Sequence, residues 1–108
     1  METQQIQLQK VEIGSIFVNT WGYDQTNQDF YIVISKTEKS IKIKQLKTKI
    51  TETGFMSGII EPLKEFKEDS EVLTKRLKYD NEGEAYINME FGWCDLWDNK
   101  PKSCSWYA

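Results

Sequence analysis

The chain of 108 residues contains no histidine. That removes the usual general base, and with it the Ser-His-Asp and Cys-His nucleophile systems. Cysteine is nearly absent as well: Cys94 and Cys104 are the two present, and neither belongs to a C-x-x-C. Two lone thiols without imidazole build neither a zinc site nor a disulfide framework, so no metal or other cofactor is expected. The few glycines, among them Gly22, Gly54, Gly58 and Gly92, form no phosphate-cradling pattern. The acid pairs Asp24/Asp29 and Asp95/Asp98 lack any spacing that a two-carboxylate hydrolase would demand. No apolar run approaches the roughly 20 residues that span a bilayer. The opening M-E-T-Q-Q-I-Q-L-Q-K has no apolar signal-like core. These absences lead to the expectation of a cytoplasmic, non-enzymatic protein with reduced thiols and no membrane partner.

Aromatic residues, by contrast, are plentiful. They make up 13% of the chain and include four tryptophans, within an apolar total of 39%. Large rings let a short chain fill one core, and the length suits a single domain over 1–108. Residues 1–10 read as an extended lead-in. Net charge is −3, from 17 acids and 14 bases, but the signs are segregated. Lys36, Lys39, Lys42, Lys44, Lys47 and Lys49 face a single acid, Glu38, in their stretch. From Asp80 to Asp98 there are acids only: Asp80, Glu82, Glu84, Glu90, Asp95 and Asp98. If the fold keeps the two stretches apart, the surface is dipolar, which matters for partners more than the net value.

Hydrophobic periodicity predicts strands. Ser15–Trp21 places Ile16 and Val18 on one face and Phe17 and Trp21 on the other, so both faces should be covered. Asp29–Lys36 repeats this, with Phe30, Ile32 and Ile34 opposed to Tyr31 and Val33. Ser40–Lys47 alternates Ile41, Ile43 and Gln45 against Lys42, Lys44 and Leu46, predicting one buried and one wet face. Residues 50–70 look least regular, with a short strand near Ile59 and Ile60 and a helical turn toward Phe66. Glu71–Tyr79 and Glu84–Phe91 form a hairpin about the turn Asp80-Asn81-Glu82-Gly83. The tail carries a turn at Asp98-Asn99-Lys100-Pro101 between short strands. Six or seven short strands with at most one short helix predict a mainly β fold: a small, strongly bent antiparallel sheet or an SH3-like or OB-like barrel.

Three groups of residues are candidates for binding. The loop containing Trp21, Tyr23, Asp24, Thr26 and Asn27 offers rings to stack on and polar groups to grip the edge of a planar ligand. An Asx-type turn capped by its rings accounts for the same residues. Trp93, Asp95, Trp97, Asp98 and Trp106 form either an interface anchor with an acidic rim or a plug for the core. Lys42, Lys44, Lys47, Arg76 and Lys78 would track phosphates, or simply protect a sheet edge.

The motif W-G-Y-D-Q-T-N followed by D-F-Y-I-V, after the strand start Gly14-Ser15-Ile16, is similar to one in a family of small bacterial, plasmid and phage proteins without a settled activity. That family also resembles this chain at a C-terminal W-D-G-K-P turn, here Trp97-Asp98-Asn99-Lys100-Pro101, which leads into a last aromatic stretch. Asn99 stands where the family has Gly, a mild change because Asn tolerates a left-handed turn. Ser15 replaces an acid. The resemblance spans most of the chain and implies an accessory gene of a phage or other mobile element. Such proteins often act by binding, for instance by blocking a host defence nucleoprotein. The leading expectation is therefore a protein that occludes a protein partner with its acidic, Trp-rich face. A single-strand nucleic-acid binder and a small-ligand pocket at the Trp21–Asn27 loop are the alternatives.

Overall fold

The computed structural model describes residues 8–21, 27–55, 57–89, 92–97, 99–100 and 102–105, with the side chains of 21, 27 and 103–105 outside the description. The fold is mainly β, a bent antiparallel sheet with no helix among the described residues. Among the described residues nine strands follow one another: β1 Ile16–Trp21, β2 Asn27–Lys36, β3 Ser40–Gly54, β4 Ser57–Phe66, β5 Leu73–Arg76, β6 Lys78–Tyr79, β7 Ala85–Asn88, β8 Trp93–Leu96 and β9 Lys102–Ser105.

The pairings explain the bend. β1 pairs with β2, β2 with β3, and the start of β3 with β5. β5 and β6 are one segment interrupted only at Leu77, whose amide donates to Lys39 O at 2.9 Å. β6 then pairs with β7, β7 with β8, and β8 with β1. The pairings thus run in a ring. The side chains facing inward make the first core: Val11, Phe17, Val33, Ile41, Ile43, Ala85, Ile87 and Cys94, with Tyr31, Leu73, Leu77, Tyr79, Met89 and Leu96 packed on it. Burying one large side chain of this kind contributes about 1.5–3 kcal/mol. The end of the lead-in, from residue 8, packs onto this ring. Gln9 joins the β6–β7 turn through its own amide to Gly83 O and through its side-chain oxygen, which accepts from Ala85 N. Val11, 1% exposed, enters the core two residues later.

A second, smaller core lies on the opposite face of β1 and β2. Val18, Phe30, Leu46 and Ile60 form it, with Ile16, Ile32 and Trp97 against them. This is why both faces of the first two strands are apolar. The covering layer comes from the far half of β3, which leaves β2 at Gln45 and pairs with β4, and from β9 on the other side of β4. Its hairpin closes at the Gly54↔Ser57 pair, beside a Phe55 that is 88% exposed.

Several expectations need correction. Residues 50–70 are not irregular with a helical turn: β3 continues to Gly54 and β4 runs ten residues to Phe66. The cause is the β-branched content of Thr48, Ile50, Thr51 and Thr53 facing Ile59 and Ile60, which favours extended chain although charge hides the alternation. The wet face expected for Ser40–Lys47 is only partly wet, because Leu46 is buried in the second core. The strand expected over Glu71–Tyr79 is broken at Leu77; of the one expected over Glu84–Phe91, Ala85–Asn88 is strand, and Glu90 and Phe91 lie outside the described residues. The expected mainly β, bent antiparallel sheet is present, with nine strands among the described residues.

The turns follow the sequence closely. Asp80 Oδ1 accepts from the amides of Glu82 and Glu84 at 2.8 and 2.9 Å, and Gly83 takes a φ of 80°. Asn99 takes a φ of 65°, the left-handed conformation that Asn and Gly tolerate.

Candidate functional site

β8 projects alternately into and out of the ring. Cys94 points inward beside Ile87, while Trp93 and Asp95 point outward, opposite Asn88 and Tyr86 of β7. Trp93 is 58% exposed. Its ring is not loose: the indole N–H donates to Asp95 Oδ2 at 3.2 Å. Beside it, Thr20, Gly92, Trp93 and Asp95 line a hollow of about 100 Å³, room for one side chain of a partner. Trp97 has a different setting. It is half-buried and meets Phe30 edge-on, with ring centroids 5.6 Å apart, and its indole N–H donates to Lys100 O at 2.7 Å. So the structure separates Trp93, an exposed ring, from Trp97, a wall of the second core. Asp98 and Trp106 lie outside the described residues.

The first candidate loop also lies largely outside them. Trp21 and Asn27 are paired as the last residue of β1 and the first of β2, and Tyr23, Asp24 and Thr26 are not described. The strands that carry the loop bring polar groups to the same end of the ring. Asn19, 4% exposed, donates from Nδ2 to Trp93 O. Asp29 is its partner across β1 and β2, and Tyr31 and Cys94 stand nearby. Burial pushes the Cys94 thiol up from 9.0 to about 12; the Asn19 hydrogen bond and Lys75 oppose this, and the carboxylates of Asp95 and Asp29 reinforce it. Burial likewise raises the Tyr31 phenol from 10.0 to about 12, helped by Asp29 and Cys94. At neutral pH Cys94 is therefore an inert, protonated thiol.

The basic candidates are partly brought together. Ser40 pairs with Arg76 and Lys42 with Thr74, so Lys42, Lys44 and Arg76 share the outer face of β3 and β5, with cross-strand diagonals of about 7–8 Å. Lys78 follows Arg76 outward, but there it sits opposite Tyr86, the neighbour of Asp95. Lys47 faces elsewhere and bridges Glu65 at 3.6 Å. The ammonium of Lys44 lies 4.5 Å from the centroid of the Phe66 ring.

One feature was not anticipated from the sequence. Between the two sheets runs an apolar groove of about 450 Å³, walled by Ile16 and Ile32 of the ring, Leu46 of β3, Pro62, Leu63 and Phe66 of β4, and Trp97. It is opened by the register. Leu46 pairs with Phe66 and Thr48 with Pro62, so Lys47 alone faces the three residues Leu63, Lys64 and Glu65. A proline ahead of a charged run was the only local signal for such a bulge. Among the described residues no group of three or more Cys, Asp or Glu is placed to hold a metal ion. Compared with protein-family profiles, with curated proteins and with solved structures, the chain matches none.

Proposed function

We propose that the protein is a non-enzymatic binding protein that meets a protein partner with the outer face of β7 and β8. The observation that carries this is Trp93: a large ring, 58% exposed, pinned by a carboxylate and set beside a hollow. Tryptophan is enriched among the anchors of protein interfaces, and burying a pre-oriented ring costs little entropy. Tyr86 and Asn88 flank it, and the exposed acids Asp80, Glu82, Glu84 and Asp95 give this side negative charge. In this reading the chain is an accessory factor of a phage or other mobile element. It occludes a basic, nucleic-acid-binding groove of a host defence protein by imitating the charge of the nucleic acid.

The test is capture from host extract by wild-type protein and by Trp93→Ala and Asp95→Lys, followed by kinetics with the captured protein. Trp93→Ala should weaken binding by roughly 2 kcal/mol or more, and Asp95→Lys should slow association and reduce its salt dependence. A partner that binds both variants as it binds wild type would sink the proposal.

One observation favours a second reading. Lys42, Lys44 and Arg76 stand together on the outer face of β3 and β5, a spacing that suits successive phosphates of a single strand.

A further inference from the structure

The apolar groove has a construction that the binding face at Trp93 does not explain. Its floor and walls are Ile16, Ile32, Leu46, Leu63, Phe66 and Trp97, and its volume of about 450 Å³ lies within the range of small-molecule sites. Two packed sheets normally interdigitate and leave no such space. Here the three bulged residues of β4, Leu63, Lys64 and Glu65, line the space, and the Lys47–Glu65 bridge at 3.6 Å spans the bulge. Its rim is cationic. Lys44 holds its ammonium 4.5 Å from the centroid of Phe66, a ring that lines the groove. Lys64 lines the groove itself. The one acid that lines it, Glu65, is already engaged by Lys47. An apolar trough lined by one lysine, with the ammonium of a second beside one of its rings, is complementary to a molecule with an apolar body and one anionic end.

We propose that this groove binds a small amphipathic anion, of the class of a free medium-chain carboxylate, with its chain between the sheets and its head between Lys44 and Lys64. The ligand lies alongside Trp97 and does not touch the face of Trp93, so this site stands independently of the partner-binding surface.

The experiment uses the full chain and three ten-carbon probes below their micelle concentrations: decanoate, decanol and decyltrimethylammonium. Binding is followed by calorimetry and by the methyl resonances of Ile16, Ile32 and Leu63. Decanoate should saturate one site, shift those methyls, and bind at least about tenfold more tightly than the cationic probe, as the loss of one charge-assisted pairing implies. The double variant Lys44→Gln, Lys64→Gln should bring the two probes to similar affinity. Leu63→Trp, at a position 36% exposed, should fill the groove and weaken all three probes without lowering the unfolding midpoint. Trp93→Ala should leave decanoate binding unchanged, which separates this site from the partner face. Equal binding of the anionic and cationic probes, no saturable decanoate binding, methyl shifts elsewhere, or binding to anionic vesicles alone would each overturn the proposal.

Discussion

Replacing Gly58 by alanine should destabilise this protein, against the general rule for glycine in a strand. A glycine inside a strand ordinarily costs about 0.5–1 kcal/mol relative to alanine, so substitution should help. Here the obstacle is space, not backbone angle. A Cβ at Gly58 would lie 2.5 Å from Thr51 O, 3.2 Å from Thr51 C and 3.3 Å from Glu52 Cα. All three atoms belong to the β3 backbone, directly across the Glu52↔Gly58 pair, and cannot rotate away. To admit the methyl group, β4 must move off β3. Ile60, two residues along and 5% exposed, then loosens in the second core. Overpacking of this kind costs about 1–3 kcal/mol, more than the entropic gain. A net loss of about 1–2 kcal/mol corresponds to a fall in Tm on the order of 10 °C for a domain of this size. Gly54→Ala is the control: its Cβ would meet only Ser57 Oγ, at 3.1 Å, and a serine side chain can turn. Urea denaturation monitored by tryptophan fluorescence gives the free energies. Amide exchange at Ile50 and Ile60 shows whether the β3–β4 pairing opens first. A Gly58→Ala protein as stable as wild type would refute the close approach of the two backbones.

Two further predictions concern charge. Cys94 has a folded-state pKa raised from 9.0 to about 12, so its contribution to stability is complete below pH 9 and is lost as pH rises toward 12; Tyr31 acts in the same direction above pH 10. Urea midpoints measured from pH 8 to pH 11 should fall, and Cys94→Ala should flatten that fall; a thiol that reacts in the native protein at pH 8 as fast as in the unfolded chain would contradict the burial. If the basic face of β3 and β5 binds single strands, oligonucleotide affinity should fall with salt at a log–log slope near −2, about −0.7 for each of the three cations Lys42, Lys44 and Arg76, and Lys42→Gln should reduce it by one such step; salt-independent affinity, or none at low salt, would remove that reading.

The strands with strict alternation were the legible part of the fold. In β1 and β2 the parity of Phe17, Tyr31 and Val33 against Ile16, Val18, Phe30 and Ile32 assigned every one of these residues to the correct core. The apolar character of both faces already required a second layer. What supplied that layer was not legible. The far half of β3 reads K-T-K-I-T-E-T, with Ile50 53% exposed, so its periodicity is weak although its backbone pairs with β4 from Thr48 to Glu52. Hydrogen bonding across the hairpin, together with the one buried contact at Ile60, holds a segment whose own pattern is polar. The apolar groove was hidden for the same reason, since it depends on a register shift that no single strand reveals. The polar residues at the end of the ring were within reach. Asn19 and Asp29 have the inward parity of Phe17 and Tyr31, and a polar side chain at an inward position is a signal in its own right.

The charge segregation gains meaning from the ring. The lysine-rich stretch is centred on β3 and the acidic one on β7 and β8. Counting along the pairings, β3 and β8 are three steps apart in either direction, through β2 and β1 or through the β5–β6 segment and β7. They are therefore opposite sides of one small object, and a rigid partner that covers Trp93 cannot also cover Lys42. The two faces call for partners of opposite sign, and salt weakens attraction to either, so salt dependence alone does not distinguish them. Reversing one charge does. Asp95→Lys should repel a basic partner of the Trp93 face while leaving attraction at Lys42 intact or stronger, and Lys42→Glu should do the converse. A partner for which both substitutions act in the same direction would contact neither face through its charge. Binding would then have to be sought in the apolar groove between the sheets, where Lys44 and Lys64 act on the ligand's head and the remote charges of β8 do not.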